Sequence, residues 1–200
     1  MTPETQQAYI KRRQQRFRTA AIDGQALKSL IVAGLTWLRT NQEIVNSLNV
    51  YPVPDGDTGI NMVLTMQAAY DEIAESPEHN FGKMIHMVAH GALMGARGNS
   101  GVILSQIWRG LARGSDEIQA LDGPSLAHAF CIARDTAYQG VVRPVEGTIL
   151  TVAKDIAEVA DAALAETQDP IEILERVVQE ADESVERTPD LLDVLKKAGV

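Results

Sequence analysis

One cysteine in 200 residues closes no intrachain disulfide, so the fold cannot depend on a disulfide framework. Cys131 lies in the apolar run 129–133, where a thiol packs as a small hydrophobe; the residue reads as core, not as a nucleophile. A positive surplus is also missing. Lys and Arg number 18 against 27 Asp and Glu, for a formal net charge of −9. Phosphate backbones need a basic face, so a nucleic-acid partner is excluded. Only the opening stretch is basic, with Lys11, Arg12, Arg13, Arg16 and Arg18 close together. No apolar run follows it that could form a signal-peptide core or a membrane span. The expectation is a cytoplasmic protein with a solvated basic arm over 1–22 and one folded domain over 23–200.

No repeat, low-complexity segment or convincing strand appears. Hydrophobic residues make up 45%, enough for one core, and they recur at helical spacing almost throughout. One stripe follows Asp23 as N-cap and carries Leu27, Leu30, Ile31, Leu35 and Leu38. A second follows Thr58, with Ile60, Val63, Met66, Tyr70 and Ile73. Phe81, Met84, Ile85 and Val88 mark a third; Val102, Ile103, Gln106, Ile107 and Leu111 mark a fourth. Pro124 can open a fifth at its first turn. Thr148 precedes Ile149, Val152, Ile156 and Val159. Asp169-Pro170 and Thr188-Pro189 each pair a capping oxygen with a proline suited to a first helical position. The spacing predicts an all-α antiparallel bundle or barrel of about eight helices.

Two segments depart from the stripes, and both are loops feeding a helix. In residues 49–62, NVYPVPDGDTGINM, two prolines stiffen the approach to a tight turn. Asp55 and Asp57 then stand two positions apart. Such carboxylates repel unless a cation lies between them, and magnesium takes one or two carboxylates with waters and phosphate oxygens. An ordinary Asx-type turn capping the next helix is the plainer reading of this segment alone. An EF-hand loop from Asp55 would need glycine where Ile60 stands and glutamate where Met66 stands. A phosphatase-type nucleophile would need a buried strand, which the prolines at 52 and 54 forbid.

The second departure is residues 91–101, GALMGARGNSG, opening directly into an amphipathic helix. Gly95, Gly98 and Gly101 let backbone approach a ligand, and Asn99 or Ser100 could cap the helix. Its N-terminal amides would then form an anion site. The Gly-Lys-Ser/Thr of a Walker A loop and the strand before it are both missing, and a dinucleotide fingerprint fails on spacing. A glycine-rich interhelical turn is the competing reading. A metal-type turn and a phosphate-type turn on one domain point together to a metal–nucleotide complex. Residues 143–148 offer a weaker third loop, in which Arg143 could reach phosphate and Thr148 serves as an N-cap. His86 and His90 have zinc-compatible i, i+4 spacing but no accompanying motif, and read as packing or surface residues. The acidic C-terminal third reads as a solvated helix face.

The segments NVYPVPDGDTG and GARGNSGVILSQ, together with 143–150, resemble the ATP-binding L-type (DhaL-like) domain of dihydroxyacetone kinases. They are most similar to the N-terminal domain of bacterial fatty acid kinase A, which works with DegV-like lipid-binding proteins. The resemblance runs from about Gly24 to the C-terminus. It implies an eight-helix antiparallel barrel with ATP held at one end. It implies magnesium on Asp55 and Asp57, with Asn49 the nearest further oxygen ligand in place of the aspartate that precedes the pair in dihydroxyacetone kinases. Nucleotide contacts would fall on Thr58, Asn61, Met62, Gly98, Asn99, Ser100, Gly101, Arg143 and Thr148. No general base is identified. The function implied is phosphoryl donation from Mg·ATP to a fatty acid on a DegV-like partner. A glycerone kinase-type subunit and a non-catalytic nucleotide-sensing module remain alternatives, and self-pairing into a homodimer stays open. Fatty acid kinases continue past a Leu-Lys-x-Ala-Gly-Val segment into further domains, so the natural protein is expected to be longer.

Overall fold

The computed structural model describes residues 21–200, so the basic arm expected over 1–22 lies almost wholly outside the described residues. Among these residues there are nine helices and no strand beyond the isolated bridge Ile22–Leu121. They are α1 (Gly24–Thr40), α2 (Gln42–Ser47), α3 (Thr58–Ile73), α4 (Phe81–Met94) and α5 (Gly98–Arg113), followed by α6 (Gly123–Gln139), α7 (Ile149–Ala163), α8 (Pro170–Leu191) and α9 (Asp193–Ala198).

The expected starts hold for α1, α6, α7 and α8. Asp23 accepts the Ala26 amide, Thr148 accepts that of Leu150, and Asp169 accepts that of Ile171. Pro124 stands in the first turn of α6, where Asp122 accepts the Ser125 amide. The Thr188-Pro189 start does not hold. Pro189 lies inside α8, which continues to Leu191 before an extended residue, Leu192, hands over to α9. A proline there deprives the Val185 carbonyl of its usual i+4 donor. The Thr188 hydroxyl donates to that carbonyl instead at 2.7 Å, and the helix survives. The one-and-a-half turns of α2 carried no readable stripe.

Successive long helices run antiparallel. Ser76 meets Met87, and Glu72 meets His90, across α3 and α4. Gly110 of α5 and its C-cap Gly114 lie against Ala133 and Ala129 of α6. Asp155 of α7 meets Ser184 and Arg187 of α8. Alternation therefore gathers the loops 48–57, 95–97 and 140–148 at one end, and 74–80, 114–122 and 164–169 at the other.

The second end is laced together by backbone hydrogen bonds. Gly24 donates to His79 at 2.8 Å, Phe81 to Gln119 at 3.0 Å, Gly82 to Ile118 at 2.9 Å and Gly123 to Gln168 at 3.2 Å. Among the described residues no such bond joins the loops of the first end, whose backbone bonds are all local.

The core is centred on Ile31, Ile73, Met84, Val88 and Ile173. Two stripes are rotated from expectation. On α5 the buried residues are Gly101, Ser105, Gly110 and Ala112, while Val102 is exposed. On α7 they include Ala153, Ala157, Ala160 and Ala163, with Val152, Ile156 and Val159 only half-buried. Leu30 and Ile60 also lie outside the core. Small residues let helix axes approach, so the closest packing face is one that a stripe of large side chains does not mark.

Candidate functional site

The open end of the bundle carries both departing loops. Of the seven helices longer than two turns, five have an N-cap side chain hydrogen-bonded to a first-turn amide. The two without one are α3, whose N-cap is Asp57, and α5, whose N-cap is Arg97. Both begin at this end. Neither Asn99 nor Ser100 caps α5, contrary to the sequence reading, because the helix has already begun at Gly98 and both lie within its first turn.

The two uncapped ends differ. From α2, Asn46 extends its Oδ1 to the amides of Gly59 and Ile60 at 2.8 and 3.2 Å. That side chain is almost fully buried, and it occupies the amides by which α3 could have held an anion. Among the described residues, the start of α5 has no such plug. Its first turn is exposed at Gly98 and Asn99 and half-exposed at Ser100, and the first amides of a helix point along its axis beyond its N-terminus. An uncapped N-terminal turn of a long helix suits an anion.

The close approach of α5 to α3 depends on glycine. Gly98 has φ +57°, in the left-handed region, and a Cβ there would collide with the Asn61 Nδ2. A Cβ at Gly101 would collide with the hydroxyl of Thr65. Asn61 and Gly98 are thus in direct apposition, which joins the two loops into one surface. Thr65, fully buried and unmarked in the sequence, donates to the Asn61 carbonyl at 2.7 Å and accepts the Arg97 amide at 3.2 Å.

Asp55 is exposed and Asp57 half-exposed, in the turn leading into α3. Asn49 donates from Nδ2 to Asp55 Oδ1 at 2.7 Å, so three oxygen-bearing side chains stand around one turn. Carboxylate and amide oxygens open to solvent are the donor set a hard divalent cation takes, and they fit magnesium. Thr58 opens α3, and Met62 is half-buried one turn on.

The third loop reaches the same end with its groups otherwise engaged. Thr148 accepts from Leu150 and donates to the Val145 carbonyl at 2.8 Å, so its hydroxyl serves as a cap. Arg143 is exposed, and among the described residues no hydrogen bond joins it to either of the other loops. Glu146 organises the segment, accepting from Thr151 at 2.7 Å, Tyr138 at 2.9 Å and Lys154 at 3.1 Å. The Thr151 bond chiefly, with Lys154 and Tyr138, holds its carboxyl below the usual range. Burial and the Glu146 bond push the Tyr138 phenol up.

The zinc spacing of His86 and His90 leads nowhere. His86 pairs with Asp116 at 2.5 Å and His90 with Glu72 at 3.3 Å, on different neighbours. Among the described residues no three His, Cys, Asp or Glu converge as a metal cluster. Cys131 is half-buried, and burial pushes its thiol up, away from thiolate chemistry. No helix of the described residues is long and apolar enough to cross a membrane.

Asn46 was missed because it sits in a short, mostly polar helix, and Thr65 because it is a polar residue within an apolar stretch. Only the fold shows what they bridge.

Comparison with known proteins fits this geometry. Residues 52–200 match the DAK2 domain, a span that begins within the first loop, takes in Asp55 and Asp57, and covers the second loop and every helix from α3 onward. Uncharacterized proteins of Staphylococcus aureus strains USA300 and NCTC 8325 are 47% identical over 179 residues. That match takes in 90% of this chain and 33% of each relative, so the chain spans about a third of the length of the curated relatives it matches. With an all-helical fold and a family match over most of its length, the chain belongs to the DAK2 domain family, the DhaL-like nucleotide-binding domains of the dihydroxyacetone kinase family.

Proposed function

We propose that this chain is the Mg·ATP-binding, phosphoryl-donor domain of a kinase whose acceptor is a fatty acid presented by a DegV-like binding protein, giving an acyl phosphate. The observation that carries the donor role is the apposition of two helix starts. The uncapped turn of α5 lies against Asn61 of α3, whose own start carries Asp55 and Asp57. The acceptor rests on the resemblance to fatty acid kinase A in residues 49–62 and 91–106.

Phosphoryl transfer asks for in-line positioning and for neutralisation of charge on the phosphate oxygens, with little covalent work from the protein. Magnesium, when bound, supplies Lewis-acid stabilisation of the transferring group. Asp55 and Asp57 would hold it, with Asn49 steadying Asp55 through the 2.7 Å bond. The amides of Gly98, Asn99 and Ser100 would hold phosphate oxygens as fixed dipoles that need no reorganisation during transfer. Thr58, Asn61 and Met62 line the side toward α3, and Gly101 allows the close approach. Arg143 would close on the nucleotide from the third loop. A fatty acid carboxylate has already lost its proton, so the lack of an identified general base is consistent with this acceptor.

The test is labelled ATP with magnesium and oleate, offered to this chain alone and then with a fatty-acid-loaded DegV-like protein and the rest of the relatives' length restored. The expected result is nucleotide binding but no efficient transfer alone, and acyl phosphate in the completed system. Holding donor and acceptor together is worth about 7–11 kcal/mol, and a chain without the acceptor forgoes it. Transfer to dihydroxyacetone but never to a fatty acid would move the acceptor to the sister kinases. Nucleotide binding with no transfer to either would leave a sensing module.

A further inference from the structure

We infer that Thr65 is a positioning residue for phosphate recognition, a hydroxyl that fixes the start of α5 in register over α3. The inference rests on the reading of the α5 N-terminal turn as the phosphate site and names a residue that holds it in place. Thr65 lies two turns inside α3 and is fully buried, yet its Oγ1 is engaged in two hydrogen bonds to backbone. It donates to the Asn61 carbonyl within α3 at 2.7 Å and accepts the amide of Arg97 at 3.2 Å. Arg97 is the N-cap of α5, so this contact falls on the residue immediately before the open turn.

Three features make the hydroxyl a latch for that turn. First, it is the acceptor for the Arg97 amide, on an N-cap whose own side chain bonds no first-turn amide. Second, α5 can reach it only because position 101 has no side chain; a Cβ there would strike the Thr65 Oγ1. Third, the residue it bonds within its own helix, Asn61, places its side chain under Gly98. One hydroxyl therefore ties Arg97, Asn61 and the Gly98–Gly101 approach into a single arrangement. Displacing the turn by a fraction of an ångström would misalign its amides toward phosphate while leaving any base or ribose contact elsewhere untouched.

Valine is nearly isosteric with threonine but offers no acceptor, leaving the Arg97 amide without its partner. Serine keeps the oxygen and loses only a methyl group. The experiment compares binding of pyrophosphate, Mg·ADP and adenosine to wild type, Thr65→Val and Thr65→Ser by calorimetry, with thermal midpoints recorded alongside. The expected result is a loss of at least fivefold for pyrophosphate and Mg·ADP in Thr65→Val, unchanged adenosine binding, and recovery to within about twofold in Thr65→Ser. Equal weakening of all three ligands, or a lowered midpoint with wild-type affinities, would overturn the inference and leave Thr65 a packing residue. Should Thr65→Val not fold, Thr65→Ser and Thr65→Ala decide: serine must bind phosphate ligands better than alanine, and equal binding overturns the inference. Failure of wild type itself to bind pyrophosphate or Mg·ADP would overturn the phosphate-site reading and this inference with it.

Discussion

Gly98 is where sequence and geometry bear most directly on one another. Its left-handed φ already disfavours a side chain by about 1–2 kcal/mol, and the Asn61 amide stands where a Cβ would go. Gly98→Ala is therefore expected to lower stability and to push the α5 turn away from α3 together. A global loss and a local one separate by ligand: Mg·ADP binding should fall at least tenfold in the folded variant, while adenosine binding changes little. Calorimetry at a temperature well below the variant's midpoint checks this, and equal losses would return the segment to an ordinary interhelical turn. The glycines were legible because the pattern Gly-x-x-Gly-x-x-Gly before a helix has few structural uses. Asn46 was not, since an asparagine in a short polar helix looks like any surface residue until its oxygen is seen to hold the amides of Gly59 and Ile60.

Among the elements, the 140–148 loop depends on one carboxylate. Glu146 accepts from Thr151, Tyr138 and Lys154, and its pKa is lowered in the fold, principally by the Thr151 bond. A group with a depressed folded pKa stabilises the native state above its unfolded pKa, and that stability disappears as pH falls through the folded value. Glu146→Gln should thus cost about 1 kcal/mol at most at neutral pH, a modest figure because the side chain is exposed. Wild-type and variant melting curves should converge as the solution is acidified below the ordinary carboxylate range. A gap that persists unchanged into acid would show that the carboxylate charge is not what fixes the loop. Element identity was readable because capping residues state where helices begin, as Asp23, Thr148 and Asp169 do. The packing faces of α5 and α7 were not, because Gly110 and the alanines of α7 bring helices close without any hydrophobic bulk to mark them. The Thr188-Pro189 pair misled for a related reason: its hydroxyl repairs the helix that the proline interrupts, instead of starting a new one.

At the scale of the molecule, the two ends of the bundle have opposite character. One is closed by backbone bonds between loops, through Gly24, Phe81, Gly82 and Gly123. The other holds its loops through side chains, Asn46, Thr65 and Glu146 among them, and presents the uncapped start of α5 beside Asp55 and Asp57. Antiparallel alternation explains this division, since segments distant in sequence return to the same end every second helix. The open end is where ligand binding should change backbone protection. Hydrogen exchange resolved to single amides, with and without Mg·ADP, measures that at the atoms concerned. The amides at Gly98, Asn99 and Ser100 should exchange fast in the free protein and slow at least tenfold with Mg·ADP, while those at Phe81, Gly82 and Gly123 stay protected throughout. The slowing should be absent with adenosine and largely lost in Asp57→Asn. Unchanged exchange at 98–100 under saturating Mg·ADP, or equal slowing without magnesium, would contradict a metal–nucleotide site built from these two loops.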